Sequence, residues 1–432
     1  MKKPFLKFVV PSVISMWVFS IYTIVDGFFV ANFAGMKELS AVTLVVPYVS
    51  TLFALAILFS VGSQTLIGVL LGRKEKDLAL EVFSFSLLLV LGISFVLSLL
   101  SWFFIDPLLR FLGAKGDLYP LAKDYFQVII LFAPFFILAY YFEVIVKVDG
   151  HPKIAILGSL SAFFTNIILD YLFIAIFHMG VFGAALATGI AQFLSVMIFL
   201  MHFRRGVGHL TYIRIKRSFS ELFRRSRRIF RLGLGEFIAE FNGASQVFIF
   251  NFFILRFLSE DFLPTFAVMN YLSIFVHSTF QGITLGSLPL LSFFHGAEER
   301  KKSFQIIRYG FLSIAIVAIL AFTLSNVFAG QLLDFYLEEG TFLESSLTHF
   351  RVFVCMFLCS GFNVFIASIA SSIGKPRISM IIHLSRGLVL LTLSLLFVIS
   401  FFGAKRLFYA AILSELLTLL FSLYFYRRMK RE

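Results

Sequence analysis

Apolar residues in this chain gather in twelve long runs, and polar residues are largely confined to the gaps between them. The runs cover 5–32, 41–71, 80–104, 121–147, 153–176, 181–203, 231–257, 264–295, 303–327, 347–372, 377–401 and 406–427. A helix needs about 20 residues to cross a bilayer, and each run is close to or above that length. Inside lipid no water satisfies the backbone, so such runs must close their hydrogen bonds internally as helices. The pattern predicts an all-α membrane protein with twelve spanning helices. The first run continues past Tyr22, carries Pro11 and Asp26, and lacks a small-residue cleavage pattern. It is therefore expected to be a retained spanning helix and not a signal peptide.

The runs come in two sets of six. Gly62-Ser63-Gln64-Thr65-Leu66, followed by Gly72 and Glu75, returns as Gly286-Ser287-Leu288-Pro289-Leu290, followed by Gly296 and Glu299. Gly150-His151-Pro152-Lys153-Ile154 returns as Gly374-Lys375-Pro376-Arg377-Ile378. Both motifs recur at one offset, 224 residues. A constant offset marks two copies of one six-helix half. Duplicated halves point to a transporter working by alternating access. Six is even, so both copies enter the membrane in the same sense, as a parallel repeat. The chain divides into a first half over 1–203, a basic connection over 204–230 and a second half over 231–432.

Charge then orients the chain. One set of turns carries Lys2, Lys3 and Lys7, Arg73, Lys74 and Lys76, Arg300, Lys301 and Lys302, Lys375 and Arg377, and the terminal Arg427, Arg428, Lys430 and Arg431. The other set carries Glu38, Asp106, Asp117, Glu260, Asp261, Asp334, Glu338, Glu339 and Glu344. Basic turns face the cytoplasm, so both termini are expected inside a cell (inner) membrane. Residues 204–231 hold ten Lys and Arg, among them Arg214, Lys216 and Arg217, against the single acid Glu221. The stretch from Ser220 onward suits a basic amphipathic helix lying at the anionic inner surface. The net charge of +13 thus reads as topology, and no nucleic-acid partner is expected. Composition agrees: 59% of residues are hydrophobic, 14% are charged and 60 are Phe. Cys355 and Cys359 sit four apart in an apolar run and read as small packing residues. No metal, nucleotide or nucleophile motif suggests an enzyme, and transport of this kind needs no cofactor beyond a coupling ion.

Ionisable residues inside spans are functional candidates because charge there is costly. Asp26 lies in the first span; Asn166 and Asp170 lie four apart in the fifth, on one face; Thr188 lies in the sixth. Their counterparts at the repeat offset are Phe250, Leu390, Ser394 and Ile412, so the second copy lacks both acids. Retention in one copy favours a task specific to that half: coupling to a cation, with Na⁺ possible at Asp26, Asn166 and Asp170. Glu236 and Glu240 in the seventh span and Glu415 in the twelfth are expected to face a substrate cavity. Glu143 is read as the i,i+4 partner of Lys147. His277 and His383 are read as helix-contact residues.

The run IVDGFFVANFAG-x-x-x-LSAVTLVVPY, the G-x-P-K/R-I turn of both halves and GAALATGIAQ in the sixth span resemble the multidrug and toxic compound extrusion (MATE) transporters. The resemblance covers essentially the whole chain and is closer to DinF-like and MepA-like members than to NorM-like ones. It implies two lobes in a V, a central cleft for organic cations, and exchange of a lipophilic drug or toxic metabolite for H⁺ or Na⁺ by a monomer. The family's first-span acid matches Asp26, its fifth-span Asn and Asp match Asn166 and Asp170, and its sixth-span threonine matches Thr188. Its first-span proline, where that helix bends, matches Pro11. NorM-like members also carry an acid in the tenth span; here 347–372 has none. The resemblance therefore favours coupling through the first-half acids. A flippase for lipid-linked precursors or polysaccharides, from the same superfamily, is the alternative reading. It calls for a more basic cavity.

Overall fold

The computed structural model describes residues 1–213, 215, 219–336 and 343–431, and its regular elements there are all helical. Arg214, Lys216, Arg217, Glu338 and Glu339 lie outside the described residues, as do the side chains of Glu260 and Glu344. Among the described residues, twelve helices are long and apolar enough to span a membrane. They are α1 (Lys2–Ala34), α2 (Met36–Gly72), α3 (Lys76–Phe103), α4 (Leu118–Val148), α5 (Pro152–Ile176) and α6 (Gly180–Arg205). The second six are α7 (Phe223–Phe257), α8 (Leu263–Gly296), α9 (Arg300–Val327), α10 (Ser346–Ser372), α11 (Pro376–Phe402) and α12 (Tyr409–Lys430). The chain is a multi-pass membrane protein.

Helix ends follow backbone rules and not hydropathy alone. Pro152 and Pro376 open α5 and α11, where a missing N–H costs nothing. Gly206 ends α6 in the left-handed conformation, φ 60°. The basic stretch Arg224–Arg231 does not form a separate surface helix. It is the start of one continuous helix, Phe219–Phe257, that runs into α7. No proline interrupts that run, so nothing separates the two.

Large apolar side chains point outward as well as inward. Phe103, Phe248 and Phe401 are 71%, 72% and 74% exposed, as befits a lipid-facing surface.

The chain forms two compact units. One holds Ile14–Gly233 and Gly296–Glu298; the other holds Met1–Val13, Leu234–His295 and Glu299–Glu432. The first turns of α1 therefore pack with the second copy, and the first turns of α7 with the first copy. Glycines make both crossings possible. A Cβ on Gly62 of α2 would strike the carbonyl oxygen of Ile229, and one on Gly233 would strike that of Leu58. Reciprocally, a Cβ on Gly286 of α8 would crowd Val9, and one on Gly282 would crowd Val13. Gly62 and Gly286 are counterparts in the repeat. The recurring motif is thus explained by close approach of helix backbones, which only a residue without a side chain allows.

Candidate functional site

The first copy builds a polar cluster from three helices. Asn166 and Asp170 lie one helical turn apart on α5 and are fully buried. A π-helical stretch, Tyr171–Ile176, starts immediately after Asp170, and another, Val30–Ala34, follows Asp26 by four residues. Such widened turns are frequent at functional sites. Asn166 Nδ2 donates to Thr188 Oγ1 of α6 at 3.3 Å. Asp26 of α1 faces Asp170, Asn166 and Thr188. The fold thus brings Asp26, Asn166, Asp170 and Thr188 into one cluster.

The cluster is rich in acceptors and poor in donors. Both Asp170 oxygens, Asp26 Oδ1 and Asn166 Oδ1 are buried with no hydrogen-bond partner among the described residues. Unsatisfied buried oxygens are costly, and two carboxylates in a low dielectric repel each other. A proton or a hard cation satisfies such a set, because both seek oxygen. Tyr22, one turn before Asp26 on α1, interacts with Thr188 and Asp26, and Tyr125 of α4 senses both acids. Neither tyrosine stood out in the sequence, although the four-residue spacing of Tyr22 and Asp26 was there to be read.

The Asp26 position is aromatic in the second copy. Phe250, counterpart of Asp26, has ring centroids 5.0 Å from Phe266, 6.0 Å from Phe353 and 6.3 Å from Phe408. Aromatic pairs of this kind are each worth about 0.5–1.5 kcal/mol beyond area burial. One repeat position thus belongs to an acid cluster in the first half and to an aromatic packing core in the second.

The three second-half acids belong to the other unit. Glu236 is buried and accepts from Ser368 Oγ at 2.5 Å. Glu240, one turn further along α7, is bonded by Gln281. Glu415 of α12 is fully engaged: Arg386 Nε donates at 2.6 Å and Asn363 Nδ2 at 2.7 Å. Arg386 lies in the π-helical stretch of α11, Ser385–Val389, and was not singled out in the sequence. His277 Nε2 lies 3.4 Å from its Nη2. Lys147 Nζ and Glu143 Oε1 form the expected pair at 3.0 Å.

Two cavities accompany these groups. The one in the first unit is lined by Phe19, Tyr22, Phe53, Tyr140, Glu143 and Gln192. Tyr22 thus borders both this cavity and the acid cluster. The other is lined by Gln246, Asn270, Phe353 and Glu415 among others. Pro11 lies inside α1, three residues before α1 passes from one unit to the other.

Comparison with known proteins bears on the family and the fold. A family model described as MatE matches residues 11–172 and 241–398. Multidrug export protein MepA of Staphylococcus aureus (strain bovine RF122 / ET3-1) is 24% identical over 416 residues, covering 96% of this chain and 90% of the relative. Its namesake from Staphylococcus saprophyticus is 25% identical over 421 residues, with the same coverage, 96% and 90%. Among solved structures, the outward-facing conformation of a multidrug resistance MATE family transporter of the MOP superfamily superposes with a TM-score of 0.92. It has 20% identity and covers 99% of this chain and 95% of that one. A MOP superfamily transporter from Pyrococcus furiosus, described as having reverse polarity of the binding pocket, gives a TM-score of 0.88 at 20% identity. It covers 99% of this chain and 96% of that one. With the family model matching most of its length and the fold shared with MATE transporters, this chain belongs to the MatE family.

Proposed function

We propose that this protein is a secondary antiporter of the cell membrane. It exports lipophilic, often cationic, small molecules in exchange for H⁺ or Na⁺ by alternating access, with both termini cytoplasmic. The observation that carries the reading is the set of donor-less oxygens on Asp26, Asp170 and Asn166. The relatives' shared description as multidrug export proteins supports the choice of substrate class.

The physical sequence runs through charge. Asp26 and Asp170 ionised side by side repel, and a cation from outside relieves the repulsion. The relieved cluster draws α1 toward α5 and α6, and α1 bends near Pro11. Tyr22 transmits the change to the adjoining cavity, whose aromatic walls hold a lipophilic cation by cation–π contact. A site closed by the coupling ion holds that substrate less well, and the substrate leaves outward. Glu240 and Glu236 serve as counter-charges in the second half. Arg386 is neutralised by Glu415. It therefore offers no free cation for a pyrophosphate-bearing lipid, which speaks against the flippase reading.

The test is transport of a fluorescent cation such as ethidium in proteoliposomes. A pH gradient and a Na⁺ gradient are imposed separately. One of them is expected to drive uptake, and loss of that gradient to abolish it. Equal transport with no gradient would reject the antiport reading.

A further inference from the structure

A second cluster lies where the first half meets the basic connection, away from the coupling acids. Asp149 follows α4 and is fully buried. Its Oδ1 accepts from the backbone N–H groups of His209 and Leu210 at 2.6 and 2.7 Å. Its Oδ2 lies 2.8 Å from His202 Nε2 and 3.6 Å from His151 Nδ1. Gly150, at φ 88°, reverses the chain so that His151 returns beside Asp149. The His151 and His202 ring centroids are 4.8 Å apart. Gly208 passes so close that any Cβ there would collide with the Asp149 carboxylate.

We propose that Asp149, His151 and His202 form a binding site for a divalent transition-metal cation of the zinc type, which clamps the root of the connection between the halves. His202 alone hydrogen-bonds the carboxylate; His151 Nδ1 lies 3.1 Å from the Asp149 backbone oxygen and 3.6 Å from Oδ2, so an ion shared with Oδ2 takes the place of that backbone contact. All three ligand atoms lie within 4.8 Å of one another. A tetrahedral zinc with bonds near 2.0–2.1 Å places its ligands roughly 3.3 Å apart. The observed 2.8 and 3.6 Å lie on either side of that spacing. Two imidazole nitrogens and one carboxylate form a borderline donor set that suits zinc, nickel or copper better than magnesium or calcium. The two backbone donors on Oδ1 supply the outer-shell support that metal-binding carboxylates require. The His151 side chain is 34% exposed, which gives the ion a way in and leaves a fourth position for water. Each ligating nitrogen must be free of its proton: in a neutral ring the proton on His202 Nε2 or His151 Nδ1 moves to the other ring nitrogen, and a doubly protonated ring releases one proton to solvent.

The consequence is mechanical. Leu210 is fully buried, and Ile213 N–H donates to Ser84 Oγ of α3 at 2.9 Å, so the root of the connection already lies against the first half. A metal on Asp149 fixes that attachment further.

The test uses the full chain in detergent, purified on an affinity tag free of histidine and stripped of metal with chelator. Zn²⁺ is titrated against a chromophoric competitor. One ion per chain is expected to bind, and His151→Ala and His202→Ala are each expected to weaken binding by about tenfold or more. His178→Ala, at the far end of α5, should change nothing. Zn²⁺ should also slow tryptic cleavage after Arg204 and Arg205 in wild type but not in His151→Ala. If His202→Ala fails to fold, the partly exposed His151 still carries the test. No stoichiometric binding, or equal binding by wild type and His151→Ala, overturns the proposal.

Discussion

Arg386 Nε donates to Glu415 Oε1 at 2.6 Å, and the two side chains are only 7% and 4% exposed. The pair joins α11 to α12, and Asn363 Nδ2 ties it to α10 at 2.7 Å. Removing one member leaves the other charge buried and unpaired. Glu415→Gln should therefore cost about 3–5 kcal/mol of stability. Replacing both residues, as Arg386→Met with Glu415→Leu, should recover most of that loss, because a well-packed apolar pair is often as stable as a buried ion pair. Thermal melts of the solubilised single and double variants measure it. A single variant as stable as wild type would show that the pair contributes nothing.

The acid cluster of the first half makes a different prediction. Asp170→Asn and Asp26→Asn keep the shape of the side chain but cannot cycle charge. Each is expected to abolish gradient-driven efflux while membrane yield stays near wild type. Efflux of a fluorescent cation from cells matched for protein level is the readout, and wild-type rates in either variant would remove that acid from the mechanism.

Pro11 gives a prediction about motion. Pro11→Ala restores a backbone N–H inside α1 and straightens the helix. Turnover is expected to fall while substrate affinity changes little. Binding titrations beside transport rates separate the two quantities, and unchanged turnover would show that no bend at Pro11 is needed.

The glycine crossings predict a structural failure. In Gly62→Val the side chain meets the backbone of Ile229, and in Gly286→Val it meets Val9 and Phe8. Overpacking of this kind costs about 1–3 kcal/mol or more. Both variants should melt earlier than wild type. Glycines with nothing near them offer the control: Gly92→Ala and Gly243→Ala have open space at the Cβ position and sit inside helices, so they should melt no earlier than wild type.

Glu240 separates two roles for a buried acid. As a counter-charge for cationic substrates, its change to Gln should weaken cation binding by a few kcal/mol at most, since aromatic contacts remain. A neutral ligand should bind as before. Titration of one cationic and one neutral ligand decides it. Equal losses for both, together with a lowered melting temperature, would assign Glu240 to helix packing with Gln281.

Much of the architecture is local physics and was legible in one dimension. Transfer of a run of side chains into lipid depends on that run alone, so twelve spans and the parallel repeat could be read directly. Asp26, Asn166, Asp170 and Thr188 stood out because acids and amides in apolar runs are conspicuous, and because Phe250, Leu390, Ser394 and Ile412 replace them in the second copy. Partner choice is not local. Arg386 finds Glu415 across 29 residues, and His202 finds Asp149 across 53. Nothing in either span's composition names the other. Tyr125 was invisible for the same reason, and Tyr22 had only its four-residue spacing from Asp26 to mark it, since a tyrosine in a membrane helix gains its meaning through its neighbours. The exchange of the first turns of α1 and α7 between the two units was likewise decided by tertiary packing. Gly62 and Gly286 marked the repeat, and only the fold showed that they admit the close approach of the α7 and α1 backbones.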